Sequence, residues 1–135
     1  MTKRRAFFKK SALATVSLGL FGTWANASAK NKMIKGDFIH SVYFWLKPET
    51  DISAFISGTQ DFLNQVPEVI QYHLGTPAGT PRDVVDNSYS VSLIVTFASK
   101  EDQDIYQKHP AHLDYVDKNK DKWTDVKIFD SLLSN

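Results

Sequence analysis

"SYSVSLIVTFASKEDQDIYQKHPAHLDYV", Ser88–Val116, holds a strand, a helix start and a helix break in one run. Tyr89, Val91, Leu93, Val95 and Phe97 alternate with Ser88, Ser90, Ser92, Ile94 and Thr96, the two-residue period of a strand. Ser99 stands where a helix N-cap would, with Glu101 and Asp102 in the first turn, where negative charge suits the helix dipole. Pro110 then interrupts the helix. It has no amide hydrogen and crowds the residue before it away from helical angles. Two pieces are predicted, about 100–108 and 110–121, with Pro110 at the first position of the second.

The flanking segments extend the pattern. "DFIHSVYFWLK", Asp37–Lys47, reads as a strand with Phe38, His40, Val42, Phe44 and Leu46 on one face and Ile39, Ser41, Tyr43 and Trp45 on the other. Both faces are largely apolar, so cover is expected on both sides. In Pro48–Pro67, the residues Ile52, Phe55, Ile56, Thr59, Phe62, Leu63 and Val66 form a helical stripe, which Thr50 or Asp51 can cap and Pro67 ends. "EVIQYHLGTP", Glu68–Pro77, reads as a strand, the segment 76–87 as a loop, and "DVKIFDSLL", Asp125–Leu133, as a last strand. The order β-α-β-β-α-β predicts an α+β, ferredoxin-like antiparallel sheet with its helices on one face. The other face is bare and apolar, with Tyr43 and Trp45 on it. A second copy stacked sheet to sheet would cover it, so a homodimer is expected.

Composition bounds the function. The chain has 135 residues, enough for one domain, and 42% of them are apolar, enough for a core. It has no cysteine, which excludes disulfides, thiolate metal sites and cysteine nucleophiles. Lys3, Arg4, Arg5, Lys9 and Lys10 precede the first acid, Asp37. Beyond residue 27 only 11 of the 16 basic residues remain against 15 acids, a net charge of about −4. Such a body lacks the basic face that nucleic acid requires.

Residues 1–29 read as an export signal: a basic start, an apolar run from Ala12 to Trp24, and small residues at the end. The run is too short for a secure membrane span. Arg4-Arg5-Ala6-Phe7-Phe8-Lys9 resembles the twin-arginine motif, with an ordinary Sec signal as the alternative. Cleavage is possible after Ala27 or Ala29. The expected location is a bacterial periplasm, reached through the twin-arginine export machinery, or the inner membrane if the signal stays uncleaved. Residues 30–36 are a polar lead-in, and 37–135 form the folded domain.

His40 in the first strand, Gly75 closing the second, and Tyr106-x-x-His109-Pro110-x-His112 leading to Trp123 and "IFD" together resemble the stress-responsive A/B barrel (Dabb) family. The resemblance covers about residues 37–132 and implies a dimeric α+β barrel. Within the group, the HPAH order and spacing are similar to those of a plant polyketide cyclase. Its catalytic tyrosine and histidine fall on Tyr106 and His112, a first-strand histidine on His40, and a tryptophan on Trp123.

That resemblance implies acid/base carbonyl chemistry without a cofactor on a small hydrophobic ligand. His112 would be the base, Tyr106 the oxyanion donor and His40 an assistant, with Trp123, Phe97 and Phe44 walling the pocket. From residue types alone, capping or packing at the kink is the favoured role of His112, and His40 reads as a hydrogen-bonded core residue. His109 precedes the proline at an N-cap position, which suggests a structural role at the break together with Pro110. The proline spoils the spacing of His109 and His112 for a metal, and no metal site is expected. A non-catalytic dimeric ligand-binding or stress-response protein is the competing reading.

Overall fold

The computed structural model describes residues 32–134, so the export signal read in residues 1–29 lies outside the described residues. From Met33 onward the chain forms one compact unit. Its elements are β1 (Phe38–Leu46), α1 (Ile52–Leu63), β2 (Gln71–Gly75), β3 (Val91–Phe97), α2 (Lys100–Lys108), α3 (Pro110–Asn119) and β4 (Trp123–Leu132), the last entered through a short 3₁₀ turn at Lys120–Lys122. The four strands are antiparallel in the order β2-β3-β1-β4. This is the ferredoxin-like arrangement the periodicities predicted.

Strand register explains the core. Phe38, His40, Val42 and Phe44 face Phe97, Val95, Leu93 and Val91 across the β1–β3 ladder, and all eight are buried. Removing each large apolar side chain from water contributes roughly 1.5–3 kcal/mol, so this face anchors the fold. The helices cover it. From α1, Phe55, Thr59, Phe62 and Leu63 turn inward, and Phe62 stacks on Tyr115 of α3 with ring centroids 4.4 Å apart. The Thr59 hydroxyl donates to the Phe55 carbonyl at 2.7 Å and accepts from the Tyr115 hydroxyl at 2.8 Å, tying α1 to α3.

Helix ends follow local chemistry. Asp51 caps α1 by accepting from the Ala54 amide at 3.0 Å, and Ser99 caps α2 by accepting from the Asp102 amide at 3.2 Å. Several boundaries differ from expectation, among them the start of β3, at Val91 rather than Ser88, and the end of α3, at Asn119. The regular helix α1 stops at Leu63, because Gln65 and Val66 donate to carbonyls three residues back and tighten the last turn before Pro67. Strand β2 begins only at Gln71, since the Val69 amide is held in a turn by the Val66 carbonyl. Strand β4 begins earlier than expected, at Trp123, which pairs with Leu46 past a bulge in the ladder.

Gly36 in the lead-in was not singled out by the sequence reading. Its φ is +99°, and an added Cβ would lie 2.7 Å from the Phe97 carbonyl oxygen. Both the backbone angle and the close approach demand glycine there.

The far face of the sheet carries Ile39, Ser41, Tyr43 and Trp45, all half-buried. Tyr43 meets Tyr89 edge-on at 5.1 Å and Phe129 at 6.2 Å, while Lys127 Nζ sits 5.1 Å above the Trp45 ring. Phe129 is 62% exposed. Among the described residues no helix is long and apolar enough to cross a membrane.

Candidate active site

The site grows from the helix break. His109 is extended, with φ −62° and ψ 136°, as the residue before a proline must be. It closes α2, its amide donating to the Tyr106 carbonyl at 3.1 Å, and opens α3, its Nδ1 accepting from the Ala111 amide at 3.0 Å. In an unbroken helix that Ala111 amide would bond the Gln107 carbonyl, four residues back. Turned to His109 instead, it leaves that carbonyl available. His112 takes it: Nδ1 of His112 lies 3.1 Å from the Gln107 oxygen. A carbonyl only accepts, so the proton is on Nδ1 and the lone pair is on Nε2.

The same break folds α3 back so that His112 and Tyr106 meet, with ring centroids 4.6 Å apart. Tyr106 is 2% exposed, seated between Phe97 at 5.0 Å and Phe62 at 5.9 Å. Its hydroxyl has no hydrogen-bond partner among the described residues, yet it is not a sealed orphan; Glu68 Oε2 is the buried, unpartnered side-chain oxygen among them. The Tyr106 hydroxyl therefore touches open space. Burial raises its pKa further above the usual tyrosine value, with the Tyr115 hydroxyl adding to the effect, so it is a hydrogen-bond donor at any physiological pH. Burial pulls the His112 pKa below its ordinary value; the Gln107 bond opposes this, while His40 and His109 nearby reinforce it. His112 is accordingly neutral at pH 7 and able to accept a proton.

His40 completes the group from the sheet. It is 3% exposed, its ring edge-on to Tyr106 at 5.8 Å, and its Nδ1 donates to Asp130 Oδ1 at 2.6 Å. Asp130 lies directly across from it on β4. The sequence reading did not single out Asp130. Alternation places it on the face of Val126 and Ile128, but its partner follows only from the β1–β4 register.

His40, Tyr106 and His112 share one cavity of about 240 Å³ between the sheet and the helices. Phe44 and Trp123 wall it, and so do Phe62 and Tyr115. Phe97 is a correction: it does not line the cavity. The Tyr106 ring stands between, and Phe97, wholly buried, backs that ring. Among the described residues no three His, Cys, Asp or Glu side chains gather as a metal site.

Comparison with known proteins fits this fold. The stress responsive A/B barrel domain family matches residues 38–132. The chain belongs to the Dabb family. Among solved structures, it is similar to the hydroxynitrile lyase of Passiflora edulis, with 16% identity, a TM-score of 0.66, and coverage of 74% of this chain and 95% of that one. It is similar also to a Dabb protein of ferredoxin-like fold from Mesorhizobium loti, with 19% identity, a TM-score of 0.61, and coverage of 75% and 100%. A dimeric ferredoxin-like protein from Thermobifida fusca has 18% identity, a TM-score of 0.61, and coverage of 76% and 97%. At these identities the likeness is one of fold. Among curated proteins no sequence matches.

Proposed function

We propose that this Dabb domain is a cofactor-free enzyme that moves protons next to a carbonyl group of a small hydrophobic ligand, as in a cyclisation or a related carbonyl reaction. The observation that carries the reading is the convergence of a neutral His112, its proton fixed on Nδ1, and an unpartnered Tyr106 hydroxyl on one apolar cavity. Nε2 of His112 takes a proton from carbon beside the carbonyl. The Tyr106 hydroxyl donates to the oxygen as it gains negative charge, and so favours the enolate over the ketone. His40, held by Asp130, orients the reacting group. That a hydroxynitrile lyase is built on the same fold supports a scaffold suited to carbonyl chemistry.

The protein works as a homodimer joined through the aromatic far face of the sheet, a reading supported by its dimeric structural neighbours. The basic and twin-arginine features of residues 1–29 support export to the periplasm by the twin-arginine route, or retention at the inner membrane by an uncleaved signal.

A screen of carbonyl compounds against wild type and Tyr106→Phe tests the catalytic reading. Turnover that falls about a hundredfold in the variant, with ligand affinity kept within a few-fold, supports it. Ligands that bind wild type and variant alike, with no compound turned over, would instead favour the non-catalytic ligand-binding protein.

A further inference from the structure

Resting on the reading above, and extending it to the substrate, we infer that the cavity takes a neutral, single-ring aromatic ketone that carries a C–H beside its carbonyl, with the carbonyl at Tyr106. Three observations on the same walls lead there.

The first is size. The cavity measures about 240 Å³. At the packing density of protein interiors, about 0.74, that space holds on the order of ten heavy atoms. One ring and a carbonyl substituent fit that space.

The second is charge. Among the described residues no Lys or Arg lines the cavity. His112 is pulled toward its neutral form by its own burial and by His40 and His109. Asp130, bonded to the lining residue His40, brings negative charge to the back of that ring. A carboxylate or phosphate on the ligand would enter with its hydration stripped and no cation to replace it.

The third is shape. Phe44, Phe62, Tyr106, Tyr115 and Trp123 present ring surfaces around a small volume. They already meet one another at aromatic spacings, Phe44 to Trp123 at 5.5 Å and Phe62 to Tyr106 at 5.9 Å. A guest ring continues that packing edge to face, which a saturated ring of similar size does less well. Within such a guest the carbonyl is the only polar group. Tyr106 offers the unpartnered donor that suits it, and the carbon beside the carbonyl then falls to His112.

Ligand-observed NMR titration of the full chain tests this with acetophenone, cyclohexyl methyl ketone, ethylbenzene and 4-acetylbenzoate. Acetophenone is expected to bind saturably, 4-acetylbenzoate at least tenfold more weakly, and cyclohexyl methyl ketone several-fold more weakly. Tyr106→Phe should weaken acetophenone and leave ethylbenzene unchanged. Val116→Trp, which fills the cavity from α3, should abolish binding of both. Equal or tighter binding of the carboxylate, equal binding of the saturated ketone, or no acetophenone binding up to its solubility would each overturn the inference. So would acetophenone binding that survives Val116→Trp. Binding without turnover of any compound removes the proposed catalysis and leaves this ligand class standing. Turnover confined to carboxylate-bearing substrates does the reverse.

Discussion

At the scale of single residues, the proposed chemistry turns on which form of each group the fold stabilises. His112 must be neutral to act as a base, and burial lowers its pKa relative to the usual histidine value near 6.5. Activity should therefore hold from pH 8 to below 6.5 and fall only as the pH drops through the lowered pKa, as a kcat/KM profile would show. Stability follows the same sign. Between the ordinary and the lowered pKa, the unfolded chain binds a proton that the folded one does not, so this contribution is present above about pH 6.5 and is lost as pH falls. Denaturant midpoints at pH 7 and 5 should show that loss in wild type and a smaller one in His112→Ala. Asp130 acts through His40. Asp130→Ala should lower turnover about tenfold, equivalent to roughly 1.4 kcal/mol of barrier, while Asp130→Asn, which still offers an acceptor, restores most of it. Local signals marked Tyr106, His112 and His40 as the residues to examine. Asp130 was not legible, because strand alternation gives a face and not a partner.

At the scale of elements, the break at Pro110 is the device that builds the site. The missing amide of Pro110 was readable, and with it the two helical pieces and the capping position of His109. The consequence was not readable, because it depends on where the Ala111 amide turns. By accepting from Ala111, His109 leaves the Gln107 carbonyl to fix the His112 proton. His109→Ala should cost about 1 kcal/mol, the usual worth of an N-cap, in chemical denaturation. It should also lower turnover, since the Ala111 amide is then free to return to Gln107. His109→Asn, a good N-cap side chain, should recover both. Loss of stability with unchanged turnover would separate the cap from the site.

At the scale of the whole molecule, one face of the sheet is closed by helices and the other is open. The order of elements along the chain came through because each segment's period, two or near 3.6, was clear in its own stretch. The cavity did not, since β1, α1, β3, α2, α3 and β4 meet to form it and no short-range pattern records their meeting. The open face, with Tyr43, Trp45, Tyr89 and the exposed Phe129, suits a second copy. Phe129→Glu should shift the protein from dimer to monomer in sedimentation velocity, because two carboxylates would be buried without partners. The cavity lies on the opposite side of the sheet from this face, so the monomer should still bind ligand.

The most direct test is the exchange of α-protons of a bound ketone in D₂O, followed by NMR with wild type and with His112→Ala. The account predicts exchange well above the buffer rate with wild type and a loss of about a hundredfold or more in the variant, with an unchanged thermal midpoint. Exchange that persists in His112→Ala, or that disappears only in step with its stability, would contradict it.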